Sequence, residues 1–145
     1  MEGDATWARV AASFARQGLM RTLGAALEHV GAGEVRIAAT VSEASAQQHG
    51  VGHAGLSFAL ADSAAGYAAL TVMDPEWEVV TSEFRISLLA PAVGRLVATG
   101  RVVRGGRRLV AVAADVHGEG GAHVATALGT MVPVRPRPSP APVRP

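Results

Sequence analysis

Residues 54–73, AGLSFALADSAAGYAALTVM, limit the fold of this chain more than any other segment. Apolar side chains occupy every face of a helix drawn through them, and such a helix must be enclosed. The segment is nearly long enough to cross a bilayer, but Asp62 lies near its middle and no basic residue flanks it. We therefore expect one buried helix in a soluble protein, broken at Asp74-Pro75.

The segments before and after this helix show other periodicities. Residues 6–17 place apolar side chains at helical spacing and predict an amphipathic helix that stops at Gly18. Residues 23–41 alternate on both sides of a Gly31-Ala32-Gly33 turn and predict a β-hairpin. Four more alternating stretches predict an antiparallel meander of four strands. They are residues 77–89, 94–104, 107–117 and 122–132.

Glycine and proline mark the remaining boundaries. Gly105-Gly106 predicts a two-residue hairpin turn between two of the meander strands. Residues 133–145 hold six of the eight prolines, so they predict an extended, disordered tail that stays out of the sheet. Residues 1–132 are then expected to form a single domain that includes the N-terminal helix.

Composition excludes several classes of function. A formal net charge of +1 gives no general surface for nucleic acid, and the absence of Cys removes disulfides, thiolate catalysis and Cys-ligated metals. The first residues lack the basic and apolar regions of a signal peptide, so we expect a cytoplasmic protein. The apolar residues are mostly small and bury little area each, which favours self-association.

The order of elements predicts an α+β fold. An all-apolar helix is enclosed most simply by an antiparallel sheet wrapped around it, and that arrangement is the hotdog fold.

Asp62 is a charged residue in the middle of this apolar helix, and its presence there needs an explanation. Its same-face neighbours at three- and four-residue spacing are Phe58, Ala59, Ala65 and Gly66, and none can pair with a carboxylate. A buried, unpaired carboxylate is costly or takes up a proton. One explanation is that Asp62 caps a second helix starting at the next residue. The other is that it faces a cleft as a nucleophile or general base.

The start of the same helix predicts a second component. Its first N–H groups lack intrahelical partners and lie at the positive end of the helix dipole. Gly50, Gly52 and Gly55 surround His53-Ala54 and let a ligand approach the backbone closely. The site suits a thioester carbonyl whose oxygen gains negative charge in the transition state.

These two components are too far apart to act together within one chain. Eight residues separate Ala54 from Asp62, about 12 Å at ~1.5 Å rise per residue. A nucleophile must approach its carbonyl carbon to about 3–3.5 Å. Asp62 is therefore expected to act on a thioester held by the helix start of a second subunit, in a homodimer with two shared sites.

The segment QQHGVGHAGLSFALADSAAGYAA resembles the signature of the phenylacetate-pathway (PaaI-like) branch of hotdog thioesterases, in the 4-hydroxybenzoyl-CoA thioesterase superfamily. The signature reads approximately N-x-x-G-x-x-H-G-G-x-x-F-x-L-A-D. The later segment TSEFRISLLAPA resembles the family strand that ends in Leu-x-Pro-Ala. The resemblance covers roughly residues 18–132 and implies a hotdog acyl-CoA thioesterase that uses neither metal nor cofactor, as a homodimer or homotetramer.

The resemblance also implies a role for several positions. Asp62 would be the nucleophile or general base, and the Ala54 N–H would be the oxyanion donor. Gln47 stands where the family has an Asn that holds the thioester or the attacking water, and Thr81 lies near a Ser or Thr that positions that water. Two departures, Gln47 for Asn and Ala54 for Gly, bear on rate and substrate shape, and leave room for a non-hydrolytic member.

We expect several other residues to take part in substrate binding. His53 would be either a general acid or a structural residue bonded to loop backbone, and Phe58 would help to set the size of the acyl pocket. The basic cluster of Arg104, Arg107 and Arg108 would be either a charged turn or a contact for CoA phosphates. The rival functions are a hotdog module that binds acyl-CoA without cleaving it, and a hydratase of the same fold, whose Asp-His motif is absent here.

Overall fold

A computed structural model describes residues 2–138 and 140–145 of the chain. The helices are α1 (Glu2–Ala15), α2 (Gly18–Thr22) and α3 (Ala54–Leu70), and the strands are β1 (Ala26–Gly31), β2 (Glu34–Thr40), β3 (Glu78–Leu88), β4 (Arg95–Arg104), β5 (Val110–His117) and β6 (His123–Val134). Single turns of 3-10 helix lie at residues 43–45 and 119–121.

The six strands form one antiparallel sheet in the order β1-β2-β4-β5-β6-β3. Helix α3 packs against one face of this sheet, in contact with β2, β3, β4, β5 and β6. The hairpin β1–β2 buries Val35, Ile37 and Ala39 on the side of the core and leaves Arg36 exposed, as its alternation predicted. The predicted α+β hotdog fold is confirmed.

Helix α3 is the centre of the core because its side chains are small and mostly apolar. Ala61, Ala64, Ala65 and Ala68 are fully buried, and the helix has no Pro or β-branched residue between its ends. Small side chains let the sheet come close to the helix backbone, and Gly100 of β4 marks the closest approach. A Cβ added at Gly100 would lie 2.2 Å from the carbonyl carbon of Ala64 and 2.3 Å from the amide nitrogen of Ala65.

Helix α3 ends at Leu70, three residues before the predicted end. Two β-branched residues follow, and the last turn tightens as the N–H groups of Val72 and Met73 bond to carbonyls three residues back. The Thr71 hydroxyl donates to the Ala68 carbonyl at 2.7 Å and accepts the Gly33 N–H at 2.8 Å, so it also joins the helix end to the β1–β2 turn. Among the described residues no helix has the length and apolarity needed to cross a membrane.

The predicted meander of four strands is wrong for its first member. Strands β4, β5 and β6 do form a meander, but β3 pairs with β6 at the far edge of the sheet and β2 takes the place beside β4. Alternation along a strand reports which side is buried, and it carries no information about which neighbour the strand pairs with. The connection between β3 and β4 therefore crosses from one side of the meander to the other.

Several element boundaries also differ from prediction. The β4–β5 connection is the five-residue loop 105–109 and not a two-residue turn, and a register shift between Val102 and Arg104 accompanies it. Helix α1 begins at Glu2, and Gly18 starts α2 where a stop was predicted. Strand β6 runs two residues into the predicted tail, and Pro133 lies opposite Val79 of β3 at the end of the ladder.

The Arg9 side chain of α1 bonds to the C-terminal end of α3 and to the loop that follows it. The Arg9 guanidinium donates to the carbonyls of Leu70 at 3.3 Å, Met73 at 3.1 Å and Asp74 at 3.2 Å, and also to the carbonyl of Trp77. Carbonyls at a helix end have no intrahelical donors, so a planar group with five N–H donors satisfies them well. This clamp, together with the buried Val10, holds α1 against the core.

Candidate active site

Asp62 lies in the middle of α3, which is continuous through this point, so the alternative of a second helix capped by Asp62 is excluded. Its side chain is half-buried and accepts a hydrogen bond from the Thr81 hydroxyl at 2.8 Å. Sequence spacing within the helix could not supply this partner, because Thr81 comes from β3. Among residues 2–138 and 140–145 the carboxylate therefore has one donor, and its other face borders a cavity.

Burial dominates the electrostatics of Asp62. Removal of water from around the carboxylate raises its pKa above 3.8, and the Thr81 hydrogen bond opposes this shift by stabilising the charged form. A carboxylate that is harder to ionise is also a stronger proton acceptor. This is the behaviour required of a general base or an activated nucleophile.

A β-bulge in β3 brings Thr81 to this position. The pairing of β3 with β6 shifts register between Thr81 and Glu83, so Ser82 is the extra residue. Before the bulge Val79 and Thr81 face the core, and after it Phe84 and Ile86 do so. Without the extra residue, regular alternation would turn either the first pair or the second pair away from α3.

The open face of Asp62 borders a cavity of about 210 Å³, here called the acid cavity. Its walls come from α1, the α1–α2 junction, α3, β3 and β6. The residues that line it are Ser13, Gln17, Asp62, Ser63, Gly66, Tyr67, Leu70, Glu78, Val79, Thr81 and Met131. Sequence reasoning missed Ser13 and Gln17, since polar residues near the end of an amphipathic helix look like an ordinary solvated face.

The start of α3 lies in a second cavity of about 300 Å³, here called the helix-start cavity. His53 is the N-cap residue, and its Nδ1 accepts the N–H of Gly55 at 2.8 Å. Among the described residues no acceptor contacts the N–H of Ala54, which is exposed. One N–H at the positive end of the helix is thus used by the cap, and the adjacent one stays available to a ligand.

Gln47 also lines the helix-start cavity, through a short loop that the chain forms before α3. The Gln47 N–H bonds to the Val51 carbonyl at 2.8 Å, and its side-chain oxygen accepts the N–H of His49. Gly50 closes this loop with a φ of 83°, a conformation that favours glycine. No acceptor in the described part of the chain contacts the amide NH₂ of Gln47, so this side chain can offer hydrogen bonds to a ligand.

The two cavities share no lining residue, so the chain by itself separates Asp62 from the Ala54 N–H. The separation agrees with the eight residues of helix between them. A carboxylate with a raised pKa and a free N–H at a helix start are the parts needed for acyl transfer, as base or nucleophile and as oxyanion donor. In a single chain they are not within reach of one reacting carbonyl.

The other residues predicted to bind substrate line neither cavity. They are Gly55, which lies beside Ala54 at the helix start, Phe58, Arg104, Arg107 and Arg108. Phe58 packs edge-on against Phe84, with ring centroids 5.3 Å apart. The cluster of Arg104, Arg107 and Arg108 is exposed and lies in and beside loop 105–109, near Met73 at the C-terminal end of α3. The structure therefore places this cluster and the Ala54 N–H at opposite ends of the helix.

Comparison with known proteins points to one family. The Thioesterase superfamily profile matches residues 49–125. A "Putative esterase" from Deinococcus radiodurans is 36% identical over 97 residues, which cover 66% of this chain and 65% of the relative. The chain thus spans a little under two thirds of the length of that curated relative.

Comparison of the fold with solved structures points to the same family. A thioesterase family protein from Silicibacter pomeroyi has 36% identity and a TM-score of 0.86, over 90% of this chain and 99% of that one. The PaaI protein of the E. coli phenylacetic acid degradation operon has 22% identity and a TM-score of 0.85, over 92% and 96% of the two chains, which shows the same fold.

Proposed function

The chain belongs to the Thioesterase superfamily, and on that premise we propose that it hydrolyses the thioester of an acyl-CoA with Asp62 as nucleophile or general base. The observation that carries the proposal is the half-buried Asp62 carboxylate, held by the Thr81 hydroxyl at the mouth of its own cavity. A purely structural role for Asp62 would not require a cavity beside its partly desolvated carboxylate.

The oxyanion component is the helix start. As the thioester carbon becomes tetrahedral, its oxygen takes up negative charge and the Ala54 N–H donates to it. On one route Asp62 attacks the carbon itself, the thiolate leaves, and water hydrolyses the resulting anhydride. On the other route Asp62 takes a proton from water, the hydroxide attacks, and the proton passes to the departing thiolate. Both routes consume one water and release an acid and a thiol.

The site is completed by a second copy of the chain, because Asp62 and the Ala54 N–H lie in separate cavities. The edge position of β3 supports this assembly. An unpaired edge strand is normally covered, and β3 also exposes Val80 and Leu88. Pairing across this edge would bring the α3 helix of each subunit beside that of the other. We propose a homodimer with two shared sites, and pairing of dimers into a homotetramer.

Turnover of CoA thioesters tests the proposed function. The purified protein should release free CoA from at least one member of a panel of aryl and medium-chain acyl-CoA thioesters, followed with a thiol reagent. Tight binding of a panel member without release of CoA would instead identify the non-catalytic binding module.

The arginine cluster is a further candidate contact for the substrate. In a single chain Arg104, Arg107 and Arg108 are remote from the helix start, so we propose that they contact CoA phosphates only across a subunit boundary.

Complementation between two inactive variants tests the shared site. Ala54→Pro removes the N–H that would hold the oxyanion, and proline is well accepted at the first helical position. His53 already has φ −60° and ψ 145°, the conformation that a following proline requires. Ala54→Pro and Asp62→Asn should each be nearly inactive alone. After subunit exchange in equal amounts, activity should recover to about a quarter of wild type, since half of the dimers are mixed and each has one intact site.

The control for this mixture is wild-type protein exchanged with Asp62→Asn, which should show no gain beyond simple averaging. If the two inactive variants stayed inactive after exchange was verified by mass spectrometry of the mixed dimers, each site would lie within one chain and the dimeric arrangement would be wrong.

A further inference from the structure

Ser57 is a buried polar residue in the first turn of α3, and it is only 1% exposed. In the part of the chain that the structure describes, its hydroxyl has no hydrogen-bond partner, whereas the hydroxyl of the other buried serine, Ser45, bonds to Ser42. A hydroxyl that loses water without gaining a partner costs free energy, and Ala is the better helix former. Packing alone therefore gives no reason for a serine here, and the position indicates a partner from outside the chain.

The Ser57 hydroxyl faces the helix-start cavity. Within residues 2–138 and 140–145, every fully buried side-chain oxygen or nitrogen has a hydrogen-bond partner. The unpartnered Ser57 oxygen is therefore not fully buried, and its remaining surface belongs to the cavity that the residue lines. Side chains on a helix lean toward its N-terminus, so this hydroxyl lies on the side of Ala54.

The Ala54 N–H and the Ser57 hydroxyl are close enough to bond one ligand atom. The two residues are three apart, which is about 4.5 Å along the helix axis, and the lean of the Ser57 side chain shortens that interval. A ligand oxygen between the two donors would accept from both at ordinary distances of about 2.7–3.0 Å. Both donors lie at the positive end of the helix dipole, so the favoured oxygen is one that gains negative charge.

The residues around this hydroxyl suit a hydrogen-bond donor and not an attacking serine. Among the described residues neither Asp nor Glu lines the helix-start cavity, so an oxyanion there meets no negative charge from its own chain. His53 is the basic side chain of the lining, and its Nδ1 already accepts the Gly55 N–H. No base of the described chain contacts the Ser57 hydroxyl, so we expect it to keep its proton.

Building on the proposed hydrolysis, we propose that Ser57 is a second oxyanion donor beside the Ala54 N–H, and thus a catalytic residue. When the nucleophile adds to the thioester carbon, the π electron pair of the C=O bond moves to the oxygen, and both groups donate to it. When that pair re-forms the C=O bond, the C–S bond breaks and the thiolate leaves, and Ser57 exchanges no proton. The alkoxide has one more lone pair than the carbonyl, so the second donor acts mainly on the tetrahedral state.

Ser57→Ala tests this role by separating catalysis from stability. The change should lower kcat by at least about tenfold, toward the hundredfold loss that is usual for one oxyanion donor, while KM changes by less than about threefold. Because it removes an unpartnered hydroxyl and introduces the best helix former, Tm should equal or exceed that of the wild type. The measurements are steady-state release of CoA and thermal unfolding by circular dichroism.

Thr71→Val is the matched control at the other end of the same helix. The Thr71 hydroxyl has two partners within the fold, the Gly33 N–H at 2.8 Å and the Ala68 carbonyl at 2.7 Å, and Thr71 lines neither cavity. Its removal leaves the Gly33 N–H without this acceptor, so Tm should fall by about 5 °C while kcat stays within about twofold of the wild type. Loss of the two hydroxyls should thus have opposite effects, one on rate and one on stability.

A second pair of variants at the same position excludes a packing effect. Thr and Val have nearly the same shape, and only Thr carries a hydroxyl. Any disturbance from the added methyl group is therefore common to Ser57→Thr and Ser57→Val. Ser57→Thr should have a kcat at least about tenfold above that of Ser57→Val.

The outcomes separate the two proposals. If kcat of Ser57→Ala stays within about tenfold of the wild type, or if Ser57→Thr and Ser57→Val are equally slow, the role of Ser57 is wrong and the proposed hydrolysis stands. A lower Tm for Ser57→Ala than for the wild type also overturns it, because the hydroxyl would then support the fold. If the wild type releases no CoA from any thioester of the panel, the proposed hydrolysis fails and the role of Ser57 fails with it.

Discussion

Replacement of Asp62 by Asn should lower kcat for thioester hydrolysis at least about a hundredfold, the usual worth of a positioned base. Asn matches Asp in size and can still accept the Thr81 hydroxyl, so the change removes charge and basicity but little packing. The measurement is kcat with the thioester of the panel that the wild type hydrolyses fastest, together with the temperature of thermal unfolding at pH 7.5. A variant that hydrolysed as fast as the wild type would show that another residue carries the reaction.

The pH dependence of the wild type provides the control. Burial raises the pKa of Asp62 above 3.8, so the reactive carboxylate is lost as pH falls through that raised value, and kcat/KM should decline at a higher pH than an ordinary Asp would give. The residual rate of Asp62→Asn should lack this limb. Because the pKa in the folded state lies above that in the unfolded state, ionised Asp62 costs stability above its folded pKa. Asp62→Asn should therefore unfold at or above the wild-type temperature at pH 7.5.

Gly100→Ala should destabilise the fold by about 3 kcal/mol, at the upper end of the range for overpacked cores. The added Cβ would lie 2.2 Å from the Ala64 carbonyl carbon and 2.4 Å from its oxygen, and these are backbone atoms that cannot rotate away. Strand β4 and helix α3 would have to separate in the middle of the core. Because this cost is a large part of an ordinary stability of about 5–15 kcal/mol, we expect Tm to fall by about 10 °C.

Gly105→Ala is the matched control for this change. Gly105 follows the same strand, and a Cβ there would meet no atom within 4 Å. Its stability should change by no more than about 0.5 kcal/mol. Equal melting temperatures for the two variants, measured by circular dichroism, would mean that α3 and β4 have room to move apart and that the close contact is not a constraint on the fold.

The central helix and its sheet could be predicted from the sequence because both rest on local patterns. A run that is apolar on all sides must be enclosed, and alternation on each side of it supplies the strands. The edge position of β3 could not be predicted, because the pairing of β3 with β6 depends on contacts between distant segments. The length of loop 105–109 was missed for a related reason, since Gly105-Gly106 resembles a tight turn until the register shift beside it is known.

The residues of the candidate site also fall into those with a local sequence signal and those without one. Asp62 was found because it breaks an apolar pattern, and Ala54 because glycines surround the start of a helix. The bond from Thr81 to Asp62 depends on the bulge at Ser82, and no property of Ser82 in the sequence marks an extra residue. Gln17 has no local signal either, and it gains its position only when Arg9 fixes α1 over the end of α3.

The Arg9 clamp has a consequence for how relatives of this protein could diverge. Ser13 and Gln17 line the acid cavity from a short N-terminal element, which packs on the core through Val10, Phe14 and Met20 and is also held by the Arg9 bonds. Substitutions at Ser13 and Gln17 would change the lining of the acid cavity and leave in place the core residues Val10 and Met20 and the helix that bears Asp62. Divergence of this kind would fall in the first twenty residues, which lie outside residues 49–125, the part of the chain that the family profile matches.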